Sequence, residues 1–149
     1  MEHGCVPSED DEAVVRLGGP EGWVRLWHRT HPYEGDLYGS ETVAFCIAIG
    51  AVDMTAALHE VTLFHDEPEK FVAELAESFA GWNGAKVWQT PSRDVRIEAV
   101  FRTGGHVDMT WTLTPRWGRD SWSASVTVEG VHAGEEMRKL AEDMRELLG

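Results

Sequence analysis

Strict alternation of apolar and polar residues over 95–128 constrains this chain more than any other feature. Val95, Ile97, Ala99 and Phe101 fall on one parity, with Arg96, Glu98 and Arg102 on the other. After Thr103-Gly104-Gly105 the apolar set is Val107, Met109, Trp111 and Leu113, opposite His106, Asp108, Thr110 and Thr112. A polar turn through Trp117-Gly118 leads to Trp122, Ala124, Val126 and Val128, opposite Ser121, Ser123, Ser125 and Thr127. Successive residues of a strand point to opposite faces, so each run is a strand with one dry face and one wet face. Short connections between such strands make an antiparallel meander. Its dry face demands a cover.

Amphipathic helical segments supply that cover. Asp66-Glu67-Pro68-Glu69 reads as a helix start, with Asp66 as N-cap, an early proline and a glutamate three residues on. Phe71, Val72, Leu75, Ala76, Phe79 and Trp82 then recur at helical spacing, and Asn83-Gly84 reads as the stop. From residue 134 onward Met137, Leu140, Ala141, Met144, Leu147 and Leu148 form a second apolar stripe. Earlier in the chain, strands are predicted at 13–17, 23–27, 42–50 and 54–63. The expected architecture is therefore α+β: one antiparallel meander of about six to eight strands, with helices near 66–82 and 134–148 packed on one face.

A chain of 149 residues fits one domain. Residues 1–11 read as a flexible acidic tail, around Ser8-Glu9-Asp10-Asp11-Glu12, and 12–149 as the domain. Against 26 acidic residues stand 13 basic ones, a net charge of −13. Such a surface repels phosphate backbones and so excludes nucleic acid as the expected partner. It suits a basic protein partner drawn in by long-range steering, and composition alone is equally met by acidity that serves only solubility. The longest apolar run, Val43 to Ile49, is far shorter than the ~18 residues of a membrane span. The opening Met1-Glu2-His3-Gly4-Cys5 has neither the basic nor the apolar region of a signal peptide. Cys5 and Cys46 are too few for a disulfide framework and too far apart for a zinc pair, so free thiols in a reducing cytosol are expected.

Chemistry-bearing motifs are sparse. No nucleophile elbow, phosphate-binding loop or H-E-x-x-H zinc motif occurs. His59-Glu60 followed by His65 has the wrong spacing for that zinc motif and lies in a predicted strand, and His28-x-x-His31 points to opposite strand faces. Arg102, His106 and Asp108 share the wet sheet face around a glycine turn, where an acid–base cluster competes with a plain cross-strand polar set. No nucleophile accompanies them. The expectation is no catalytic residue, no metal and no cofactor.

Recognition is the alternative to chemistry. The loop 31–40 carries Tyr33, Glu34, Asp36 and Tyr38, combining amphipathic rings with negative charge, and Trp117 stands in the charged turn Arg116-Trp117-Gly118-Arg119. These five residues are the candidate partner contacts, because loops on a rigid scaffold carry recognition and tyrosine offers contact area at little entropic cost. The competing reading has Tyr33, Tyr38 and Trp117 folding back over the sheet edge. Trp82, Trp111 and Trp122 are expected in the core, and Trp88 pins the segment after the first helix.

Residues 63–148 also carry a familiar set of motifs: Leu63-Phe64, Phe71-x-x-x-Leu75, Gly81-Trp82-x-Gly84-x-x-x-Trp88, Gly105-His106-Val107, Trp122 and the closing leucine-rich helix. The set resembles a bacterial family of small domains of unknown function and, more distantly, the WapI-type immunity proteins of polymorphic toxin systems. That resemblance implies a non-catalytic protein that binds and neutralises a cognate toxin. An accessory protein-interaction domain is the alternative, followed by a small-ligand carrier or an enzyme.

Overall fold

The computed structural model describes residues 14–31, 42–64, 66–115 and 122–149. Strands β1 (Val14–Gly19), β2 (Gly22–Thr30), β3 (Val43–Ala51) and β4 (Met54–Leu63) precede helix α1 (Pro68–Glu77). Strands β5 (Ala85–Gln89), β6 (Val95–Arg102), β7 (His106–Leu113) and β8 (Ala124–His132) follow, and helix α2 (Glu135–Leu148) closes the described chain. The α+β class stands, but the single meander does not. The strands form two four-stranded antiparallel sheets, β1-β2-β3-β4 and β5-β6-β7-β8. The division falls at α1 and its exit turn. Gly81 and Gly84, both at positive φ, redirect the chain there, and β5 pairs with β6 instead of extending the first ladder.

The sequence pattern missed β5 because its five residues are too short to show a period against the helix before them. Lys86 and Trp88 pair with Ala99 and Ile97, so they share the inward parity of β6. Across β6 and β7 the alternation holds as expected, with Val95, Ile97, Ala99, Val107, Met109, Trp111 and Leu113 all buried. A register shift between Val107 and Met109 lets β8 carry an extra residue, and Val131 turns inward after Val126 and Val128.

One core joins both sheets and both helices. In it Val24, Leu26, Phe45, Ile47 and Ile49 of the first sheet meet Val126 and Val128 of the second and Leu75, Met137, Leu140 and Met144 of the helices. β8 packs against β1, β2 and β3, and α2 lies on β1, β2, β8 and α1. The approach of β2 to β8 is close: a side chain at Gly22 would place its first carbon 2.7 Å from the Thr127 carbonyl oxygen.

β3 is buried from Ala44 to Gly50 without interruption. Its odd residues enter the main core, while Cys46 and Ala48 join Trp27 in a second apolar cluster flanked by Val14, Trp23 and Ala57. A strand covered on both faces reads as a continuous apolar run, as this one does. Cys46 is disulfide-bonded, and among the described residues no cysteine is free. The free-thiol expectation is corrected on that point.

Three further details differ from expectation. Glu67, at φ 49°, is the N-cap of α1 and makes no side-chain cap; the Asp66 carboxylate accepts a hydrogen bond from the Phe64 backbone N–H at 2.9 Å instead. The helix ends at Glu77, five residues short of Trp82, so helical spacing no longer sets the direction of Phe79, which is 66% exposed. β8 begins at Ala124, which leaves Trp122 outside the strand and 40% exposed rather than in the core. Trp82, expected in the core on the helix stripe, lies beyond the end of α1 and is half-buried against the core, its indole N–H donating to the Ala99 carbonyl at 3.2 Å. Trp88 pins the segment after the helix as anticipated, half-buried, its indole N–H donating to the Asp66 carbonyl at 2.9 Å.

Candidate functional site

Helix α1 has two usable stripes. Val72 and Leu75 point into the core, and Glu69, Ala73, Ala76 and Glu77 flank them on the solvent side. Helix α2 repeats the arrangement, with Met137, Leu140 and Met144 inward and Arg138, Ala141, Glu142 and Arg145 beside them. Because the two helices pack side by side, these second stripes face a common groove of about 740 Å³. Alanines form its floor, which keeps it shallow and apolar, and the exposed Phe79 ring stands at its α1 end. A large apolar side chain held in water beside an apolar concavity is the usual mark of a surface that another macromolecule covers.

The walls differ in charge. On the α1 wall Lys70 is engaged by Glu67, whose carboxylate raises the lysine pKa by hydrogen bond and by charge. Glu69 and Glu77 make no ion pair among the described residues, and neither do Arg138 and Arg145 on the α2 wall. Two carboxylates of the α1 wall, Glu69 and Glu77, thus face two guanidiniums of the α2 wall, Arg138 and Arg145, with Glu142 beside them.

A second concavity of about 640 Å³ separates the β1–β2 hairpin from β8 and is edged by Glu21, Glu129 and Glu136. It is polar, and the Glu136 carboxylate is already used, accepting from the His132 backbone N–H at 3.2 Å. The polar set foreseen around Arg102, His106 and Asp108 does assemble at this end of the second sheet. Arg102 Nε donates to Asp108 Oδ2 at 2.9 Å, and Asp108 Oδ1 accepts from the Gly130 N–H at 3.1 Å. His106 pairs across the strands with both Arg102 and His132, and the two imidazoles meet edge to face at 5.9 Å. Both carboxylate oxygens of Asp108 hold structural partners, and these bonds tie Arg102 and the β8 backbone to β7. Among the described residues no group of three or more histidine, cysteine or carboxylate side chains is placed to hold a metal ion.

Asp94, the buried carboxylate among the described residues, is also accounted for: Ser92 Oγ donates to it at 2.9 Å and Thr90 Oγ1 donates to the same oxygen, closing the β5–β6 turn. Tyr33, Glu34, Asp36, Tyr38 and Trp117, the contact residues expected from the sequence, lie outside the described residues, as does His65. The groove between the helices was missed in the sequence. Its signal was present in the second stripe, where alanines recur beside each apolar core face, but small residues on a helix flank do not separate a groove from ordinary surface.

The chain is thus an α+β domain of two four-stranded sheets with an apolar groove between paired helices. The chain belongs to a family of unknown function, DUF6228, whose family model matches residues 17–149. No curated protein and no solved structure matches it. Among the described residues no helix is long and apolar enough to cross a membrane.

Proposed function

We propose that the chain is a non-catalytic protein-binding domain whose docking surface is the groove between α1 and α2. The observation that carries the reading is the alanine-floored groove with Phe79 exposed at its end. Occupied carboxylates at the Arg102–Asp108 pair and at the Asp94 turn support it, since those groups serve the fold. A photo-crosslinking amino acid in place of Phe79 tests it in the native cell. Adducts should form there and be lost when Ala73→Arg fills the groove. The same adducts from a crosslinker at Val52, which is 74% exposed and away from the groove, would sink the reading.

A finer reading is an immunity protein that neutralises a toxin of its own bacterial lineage. It is supported by the motif resemblance over 63–148 and by the net charge of −13, which suits a basic partner. Co-expression with a toxin encoded beside it should rescue growth if this is right, and unchanged killing would remove it. A cytosolic setting loses its support from free thiols, because Cys46 is disulfide-bonded and such bonds persist in oxidising compartments.

A further inference from the structure

We infer that the occupant of the α1–α2 groove is a second copy of this chain, related to the first by a two-fold axis running along the groove. The inference rests on the groove being a docking surface, and it adds the partner.

Charge selects this occupant. The chain carries −13, so two copies repel over most of their surfaces. The groove is different: Glu69, Glu77 and Glu142 share it with Arg138, Arg145 and Lys70, the last engaged by Glu67, so both signs are present there. A basic partner finds no concentrated negative rim at this place, and a second copy meets less repulsion here than over the rest of its surface.

Symmetry then selects the orientation. A two-fold interface brings each surface onto its own image and must be self-complementary. With the axis along the groove, α1 of each copy lies over α2 of the other. Glu69 and Glu77 of one wall then oppose Arg138 and Arg145 of the facing wall, all four free of ion pairs within the chain among the described residues. With the axis across the groove, α1 would lie on α1 and acid on acid. The first arrangement also sets each exposed Phe79 against the apolar floor of the facing copy, and the alanines allow the backbones a close approach.

The helices limit the strength. With 10 and 14 residues, α1 and α2 span about 15 and 21 Å. A face of that length is at the low end of specific interfaces, so the dimer is weak, with dissociation in roughly the micromolar range.

Sedimentation of the full chain from about 1 to 200 µM, which brackets that range, reads this directly. We expect a monomer–dimer equilibrium. Ala73→Arg should weaken it by more than about tenfold with an unchanged melting temperature, because Ala73 lines the groove and is not part of the core. Reversing one wall, Glu69→Lys with Glu77→Lys, should weaken it similarly. Adding Arg138→Glu and Arg145→Glu to those two should restore it, since both walls are then exchanged. A chain that stays monomeric throughout overturns the inference, as does a dimer indifferent to these substitutions. If the monomer nevertheless crosslinks from position 79 to a different protein, the inference falls and the docking surface stands. If it crosslinks to nothing, both fall.

Discussion

The indole of Trp23 occupies the space that Gly50 leaves empty on the neighbouring strand: a side chain at residue 50 would place its first carbon 2.3 Å from Trp23 Cζ2. Gly50 is not at positive φ, so the constraint there is room and not backbone conformation. The guanidinium of Arg25 lies 5.9 Å from the centre of the same indole, within cation–π range. Gly50→Ala should therefore displace Trp23 and cost about 1–3 kcal/mol, the usual range for overpacking. Denaturant titration of Gly50→Ala, Trp23→Ala and the double variant checks it. The double variant should cost less than the sum of the single ones, because Trp23→Ala removes the clash.

Trp111 is the largest of the fully buried side chains, and no described group accepts a hydrogen bond from its indole N–H. Trp111→Ala should cost about 3–5 kcal/mol by leaving a cavity. Trp111→Phe keeps most of the apolar volume and removes a donor that has no acceptor, so its cost should be well under half of that. Equal losses in the two variants, measured by chemical denaturation, would contradict this account.

Trp88 ties β5 to the start of α1 through its 2.9 Å bond to the Asp66 carbonyl. Trp88→Phe should lower stability by about 1 kcal/mol, the net worth of one such bond. Hydrogen exchange should quicken at the N-terminal turn of α1 and stay unchanged in β7.

Reduction of the disulfide at Cys46 should lower the melting temperature by roughly 5–15 °C, taking a bond contribution of about 2–4 kcal/mol in a chain of this size. Scanning calorimetry with and without a thiol reductant measures it. A chelator in the same experiment should leave the transition where it was.

Legibility in the sequence followed period. β6, β7 and α2 each repeat their apolar residues long enough to establish strand or helix, and their buried faces were all readable. Phe79 and Trp122 were misread because each continues an apolar spacing past the end of its element, where the backbone no longer honours the period. The separation into two sheets was not readable either, since alternation reports which face of a strand is dry and says nothing of its neighbour. As for the groove, Ala73 and Ala141 are small, half-buried residues whose importance lies in what α1 and α2 leave open between them, and only the packing of one helix on the other reveals that.

β3 is bonded on both edges and covered on both faces from Ala44 to Gly50. Its amides can reach solvent only when the whole domain opens, so they should exchange with deuterium last and report the global unfolding free energy. A single labelled site in this strand would serve as a gauge of the entire molecule, against which the faster clocks of α1 and β5 could be read.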